Sequence, residues 1–522
     1  MKRTNLISSN TYGDNCRHEM NTFQFFKTNL RMKLFYKTLT LAVILGIVSC
    51  NSQLQEPPIG IITGQTAPTN SSVVYSVRNS YQLLSNTLNI IGEWGWDDGT
   101  VMRNDFVLQD IASGDLMKKW SPDGDQAWMD RFADFSITAV NAGVKGQWSY
   151  DYAGVARANL SVSYLTNLEL CKTIALDEAS RKYLLGQVYF LRAFYYFDLI
   201  NNYGDVPLVL EPVKSFSDAS KLAVRETKAN VTTQINKDLT EALALIPDGK
   251  YSDSTEKWRV SKGAVLSMQA KVALYNQQWA TVLTTISTLE SLNYYSLNTN
   301  YFDCFDQTKK FTENEDIFVA NHESLTTPAS GNGLCALMGW GFLAPSANFI
   351  NSFEANDPRS AYTVDVPKKQ INKLLGTLDG TNLGNDDAAS NKIYIRWADV
   401  LLWKAEAALE SGDNATAISY INKVRLRARN TVTVAGIISP AGTLPDRPES
   451  IDKATIKNWL VSERRAELGF ESQRFNDLKR WGIAKTFLNS VGSNYQDNNN
   501  VYPIPQTEVD RTGGSIKQNP LY

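Results

Sequence analysis

Apolar residues recur at three- and four-residue spacing along most of this chain, the spacing that lines one face of a helix. It predicts helices over Val73–Ile91, Trp128–Val140, Val155–Leu170, Glu178–Asn201, Thr227–Leu245, Ser261–Tyr275, Trp279–Leu289, Ile395–Glu410, Ala415–Arg427, Ile456–Leu468 and Phe475–Leu488. Strand-like runs are few and short: Leu208–Leu210, Ile317–Ala320 and Ile393–Tyr394. They are too scattered for a large sheet.

Within Ala405–Val424, small residues (Ala405, Ala408, Ala417) stand where the helices of a tetratricopeptide pair touch, and Gly412 stands at the turn. Lys262–Leu289 is a poorer copy of the same pattern, and Tyr183–Leu199 with Thr227–Leu245 supply further helices. Three stretches, 92–126, 294–392 and 431–450, show no period. Unstructured runs beyond about 12–15 residues are uncommon unless they serve a function, so these are candidate functional loops. The expected fold is mostly α, a tetratricopeptide-like scaffold of helical pairs carrying long irregular insertions.

The first fifty residues read differently. From Met32, Lys33 and Lys37 precede an apolar run, Leu39–Val48, that ends in Ser49-Cys50, the order of a secretory signal and too short to span a bilayer. Leu45-Gly46-Ile47-Val48-Ser49-Cys50 resembles a bacterial lipobox, which implies cleavage before Cys50 and lipid on its thiol. Residues 1–49 are then a removed signal region with Met32 as the natural start, 50–70 the anchor and a Pro- and Gly-containing tether, and 71–522 the domain. Two or more acyl chains, each gaining about 0.8 kcal/mol per buried CH₂, hold a protein on a membrane without spanning it.

Composition narrows the chemistry. The 522 residues carry 52 Lys+Arg against 54 Asp+Glu, and without residues 1–49 the balance is 45 against 52, mildly acidic. Nothing in that charge favours nucleic acid. Two histidines, His18 and His322, leave little for a histidine metal site or a Ser-His-Asp triad. Beyond Cys50, the mature chain has Cys171, Cys304 and Cys335, which read as buried thiols rather than a disulfide framework. The acidic turn Asp123-Gly124-Asp125 lacks the full calcium-loop pattern, and no Walker loop, dinucleotide fingerprint, HExxH, CxxC or GxSxG occurs. No cofactor, metal or catalytic residue is expected.

The run Gln187–Leu208, with Phe190, Arg192, Tyr195, Tyr196, Asn202, Gly204 and Pro207, resembles the signature helix of SusD/RagB-type outer-membrane nutrient-binding lipoproteins. In the same order as in that family come Trp148-x3-Tyr152-x6-Asn159, Asp357-Pro358-Arg359, Arg396–Leu402, Ile421–Arg425, the charged stretch Glu463–Gly482, and a tail with Pro503-Ile504-Pro505 and Gln518-Asn519-Pro520. The resemblance implies a cell-surface lipoprotein, not an enzyme, that captures oligosaccharide and delivers it to a TonB-dependent outer-membrane transporter of the SusC type. Some members of the family capture peptide instead. A surface glycosidase is the rival of another class, and a lid without ligand affinity a third.

Sugar rings stack on aromatic faces and bond to Asn, Asp, Gln and Arg. The candidate ligand residues are Trp94, Trp96, Asp97 and Asp98 in the first irregular segment, with Arg103 and Asn104 as nearby donors, and Trp340 of Gly339-Trp340-Gly341 in the second. Trp120 and Trp128 form a further face or a chance loop, whereas the helical Trp397, Trp403, Trp459 and Trp481 read as core. Glu463 and Glu467, one turn apart among arginines, read as ion pairs linking helices rather than a catalytic acid pair. The lipid assignment has a direct test: Cys50→Ala should release the protein from membranes, and a variant that still fractionates with outer membrane without any transporter partner would contradict it.

Overall fold

The computed structural model describes residues 67–522; the signal region, Cys50 and most of the tether lie outside the described residues. Helix α1, Asn70–Gln82, starts inside the expected tether, because Thr69 and Ser72 cap each other's backbone N–H at its N-terminus. The other long helices are α2 (Ala142–Thr166), α3 (Glu178–Tyr203), α4 (Lys228–Leu245), α5 (Lys262–Tyr275) and α6 (Trp279–Ser291). A short helix, α7 (Gly333–Gly339), precedes α8 (Trp397–Glu410), α9 (Asn414–Asn430), α10 (Lys453–Leu468) and α11 (Arg474–Arg480).

Each helix packs on the next: α1 on α2, α2 on α3, α3 on α4, α4 on α5, α5 on α6, α6 on α8, and α8 on both α9 and α10. The pairs α5–α6 and α8–α9 are the repeat units read from the sequence. Gly412 takes φ +87° at the α8–α9 turn, a conformation open to glycine at little cost, and Asp413 then caps α9 by accepting from the Thr416 N–H. Helix α3 is buried almost all round through Phe190, Phe194, Tyr195, Tyr196 and Phe197. Phe194 packs edge-on to Tyr394 at 5.0 Å and near Phe318 at 5.5 Å. Burying each such side chain contributes about 1.5–3 kcal/mol. These rings form the centre of the scaffold, as the all-round aromatic pattern implies.

Sheet is confined to three two-stranded antiparallel pairs among the described residues. Strand β1 (Leu116–Met117) pairs with β5 (Ala344–Pro345), β2 (Val206–Pro207) with β3 (Arg225–Glu226), and β4 (Asp316–Ala320) with β6 (Lys392–Arg396). Two of the predicted strand runs thus pair with each other. The third does not form a strand: pairing ends at Pro207, and the Val209 carbonyl instead accepts from Asn159 and the Tyr196 hydroxyl.

Helix limits differ from the sequence reading where an apolar run continues past a turn. The first helix stops at Gln82 rather than Ile91, yet Leu83 and Leu84 stay fully buried, which kept the apolar pattern going. The helix read from Trp128 spans Ala127–Asp134 and stops before Phe135, at φ +59°. The stretch Val155–Leu170 lies in the longer α2 as far as Thr166; Asn167 then caps a separate short helix, Leu168–Thr173, by accepting from the Leu170 N–H. Ile395 and Arg396 belong to β6, so α8 begins at Trp397. Phe475–Leu488 splits in two at Gly482, which has φ +70°.

The insertions are tied to the helices by buried ion pairs. Glu467 on α10 receives Arg359 at 2.9 Å, Arg396 of β6 at 2.7 Å and Arg427 of α9, while Glu463 one turn earlier receives Arg359 at 2.7 Å and Arg425 at 3.0 Å. Burial alone would raise the Glu467 carboxyl, but Arg427, Arg396 and Arg359 outweigh it and hold it well below the usual carboxylate range. A permanently ionised Glu467 has no proton to donate, so the pair joins elements instead of doing acid catalysis. Trp397 and Trp403 are core, and the half-buried Trp481 donates its indole N–H to Glu406 at 2.7 Å. Removing one member of a buried ion cluster costs about 3–5 kcal/mol. Glu467→Ala should therefore lower the melting temperature sharply, measured by calorimetry; an unchanged transition would contradict the structural role.

Candidate functional site

The loop after α1 is built on helix α2. Gly99 lies so close to α2 that a Cβ there would sit 2.0 Å from the Ala142 carbonyl oxygen, and a Cβ on Gly146 would sit 2.0 Å from that of Gly99. Asn104 Nδ2 donates to the Gly99 carbonyl at 2.6 Å, and Asp98 pairs with Lys145. On this base the loop folds tightly. The Trp94 N–H donates to Asn89 Oδ1 at 2.8 Å, the Trp96 N–H to the Trp94 carbonyl at 2.8 Å, and the Thr100 N–H to the Gly95 carbonyl at 2.9 Å. The Trp94 indole is left 53% exposed.

Helix α7 ends at Gly339 and delivers Trp340, whose N–H closes the last turn on the Ala336 carbonyl at 2.9 Å. Gly341, at φ +89°, turns the chain into Phe342 and β5; its carbonyl accepts from the Lys119 N–H at 2.9 Å, beside the β1–β5 pair. A Cβ on Gly341 would lie 2.8 Å from the Trp120 ring, so Trp120 rests directly on this turn.

Segments more than two hundred residues apart thus meet. Trp340 lies 6.5 Å from Trp94 and 6.3 Å from Trp96, and Trp96 packs 5.3 Å from the buried Phe342. Trp96 is half-buried beneath the loop, while Trp94, Trp340 (42% exposed) and Trp120 (62% exposed) face solvent. Tryptophan is seldom left so exposed, and several together mark a binding surface more often than chance packing. Glu93, Asp97 and Asp98 stand exposed along the loop, and Lys119 Nζ lies 5.2 Å over the Trp120 ring.

Arg103 and Asn104 do not face this surface. Arg103 is buried at 1% exposure, its guanidinium spent on Asp105 at 3.2 Å, Asp151 at 2.8 Å and Asp198 at 2.5 Å. Asn104 is fully buried, its N–H donating to Gln147 and its amide to Gly99. Both hold the loop in place instead of offering donors to a ligand. The acidic turn closes around Lys118, whose buried ammonium meets Asp123 at 2.7 Å, Asp130 at 3.1 Å and the Asp125 carbonyl. Trp128 packs half-buried against Gly143, so of that pair only Trp120 reaches the surface.

His322 is buried, accepts the Asn86 N–H on Nε2 at 3.2 Å, and burial pushes it down to about 3, so it is neutral. Cys171, Cys304 and Cys335 are free, buried thiols. The contact of Trp120 with the Gly341 turn is the part of the surface that the sequence does not reveal, because the two residues lie more than two hundred positions apart.

A scaffold of packed helical pairs that carries long irregular insertions is the SusD-like fold. The chain belongs to the SusD family: the family model of that name matches residues 355–522, and one described as "Starch-binding associating with outer membrane" matches residues 68–274. Among curated relatives, SusD-like protein P2 of Formosa agariphila is 26% identical, with 93% of this chain and 99% of the relative aligned. Among solved structures, a laminarin-binding SusD-like protein is 24% identical with a TM-score of 0.69, covering 87% of this chain and 100% of that one. Surface glycan-binding protein A of Bacteroides thetaiotaomicron, in complex with laminarihexaose, is 22% identical with a TM-score of 0.67, at 87% and 100% coverage.

The placement of Arg103 carries its own test. Arg103→Ala would leave Asp105, Asp151 and Asp198 without their shared cation, at a cost of about 3–5 kcal/mol. Thermal unfolding should shift down strongly, and a variant of unchanged stability would show that the cluster does not anchor the loop.

Proposed function

We propose that this chain is a non-enzymatic, lipid-anchored outer-membrane protein of the cell surface that captures oligosaccharide on the Trp94–Trp96–Trp340 surface and passes it to a TonB-dependent transporter. The observation that carries the reading is the convergence of Trp94 and Trp120 from the first irregular stretch with Trp340 from the second, three exposed indoles. Indole faces suit sugar rings, whose C–H faces are apolar and whose hydroxyls need polar neighbours. Asp97 and Asp98 stand beside the indoles as acceptors for such hydroxyls. The ligands of the similar structures, laminarin and laminarihexaose, and the starch-binding description of one family model support a glycan over a peptide.

Binding without chemistry fits what the carboxylates do. A glycosidase needs a pair about 5–5.5 or 6.5–9.5 Å apart with one member kept protonated. Glu463 and Glu467 are locked among arginines, and Asp97 and Asp98 stand exposed on a loop, Asp98 paired with Lys145. On this reading the anchor at Cys50 places the domain over the transporter, and the transporter supplies the energy for uptake.

Truncating a side chain that dominates an interface costs at least about 2 kcal/mol, roughly thirtyfold in Kd. Trp94→Ala and Trp340→Ala should each weaken glycan retention on an affinity gel by that order, with the melting temperature unchanged. Loss of stability with retained binding in both variants would contradict the site.

A further inference from the structure

A cleft of about 490 Å³ opens between α1, the segment 255–258 and the segment 319–330. Tyr75 and Arg78 of α1 stand at its mouth, Tyr75 being 48% exposed. Trp258 lies within, fixed edge-on to Tyr81 at 5.0 Å and flanked by the Arg78 guanidinium 5.9 Å from its ring centre, which also pairs with Glu256. The amides of Asn79, Gln82 and Asn321 line the remaining wall. Asn321 Oδ1 is buried without a hydrogen-bond partner among the described residues, although its Nδ2 donates to Glu323 at 2.7 Å. Aromatic faces and amides are the chemistry of a carbohydrate subsite, and the volume lies in the range of small-ligand sites.

The cleft and the indole surface share two stretches of chain. Ser330 lines the cleft, α7 begins three residues later at Gly333, and Trp340 follows directly on its last residue. That helix, about 10 Å long at 1.5 Å per residue, joins the segment lining the cleft to the segment that carries Trp340. Thr87 lines the cleft as well, and Trp94 lies seven residues further along the same segment. Charge on the cleft is balanced, Arg78 and Lys257 against Glu256 and Glu323, and the indole surface is edged by Glu93, Asp97 and Asp98. Neither place has a surplus of cations with which to hold uronate or sulfate groups.

We infer that the Tyr75–Arg78–Trp258 cleft is a second subsite for the same ligand, and that the ligand is a neutral glycan chain long enough to reach from the indole surface into the cleft. This rests on the capture reading above. Occupying both places with one chain makes the second contact intramolecular, so affinity climbs with chain length.

The test uses calorimetric titration of the full mature chain with the trisaccharides and hexasaccharides of neutral β-1,3-, β-1,4- and α-1,4-glucans. Wild type should bind its preferred hexasaccharide at least tenfold more tightly than the matching trisaccharide. Tyr75→Ala and Arg78→Ala, both at exposed positions and checked by melting temperature, should collapse that ratio towards one, whereas Trp94→Ala should weaken binding of both lengths. A length ratio unchanged in the two α1 variants, with binding still dependent on Trp94, overturns the second subsite and leaves the capture surface standing. Binding indifferent to Trp94, or no binding of any of these glucans by wild type, overturns both.

Discussion

An arginine taken out of water must be met by carboxylates, and in this protein that requirement fastens the irregular insertions to the helices. Glu467 is the clearest case: one carboxylate on α10 is shared by Arg359 from the second insertion, Arg396 from β6 and Arg427 from α9. Arg396 reaches on to Glu315 and Glu471, and Lys373 joins Glu471 at 2.6 Å. Four separate stretches are therefore registered by one connected set of charges. Such clusters add little net stability over an apolar core, but losing one partner is costly, so they favour a single arrangement.

The same device positions the indole surface. Arg103 holds the start of the first insertion against α2 and α3 through Asp151 and Asp198, while Gly99 and Gly146 let the loop lie against the helix backbone. With its base fixed, the loop projects Trp94 outward and tucks Trp96 under it onto Phe342. Trp340 and Trp120 meet that edge through the β1–β5 pair and the Gly341 turn. Indoles held in this way have little side-chain freedom left to lose, which is the condition that lowers the entropic cost of binding in the proposed function.

Much of the scaffold was legible because helix burial leaves a periodic trace: α3, α5, α6, α8 and α9 lie where apolar spacing and small residues put them. The misread limits have one cause, since Leu83 and Leu84 continue an apolar run into core outside any helix, and local period cannot tell the two apart. At the indole surface, Gly339-Trp340-Gly341 and Trp94-Gly95-Trp96 were visible as large rings on permissive backbone. That they meet was not visible, because the meeting depends on contacts across more than two hundred residues. Arg103 was misread for the same reason: its partners Asp151 and Asp198 lie 48 and 95 positions away, so sequence adjacency to an aromatic loop suggested a surface donor.

The account turns on whether the exposed indoles, and not another face of the helical scaffold, meet the glycan. Each tryptophan carries one indole N–H, so a two-dimensional NMR titration with laminarihexaose, or with whichever neutral hexaose binds, reports every ring at once after assignment by single substitutions. The account predicts that the Trp94 and Trp340 indole resonances move with saturable dependence on ligand, while that of the fully buried Trp403 stays fixed. Saturable glycan binding that leaves Trp94 and Trp340 unmoved would contradict it.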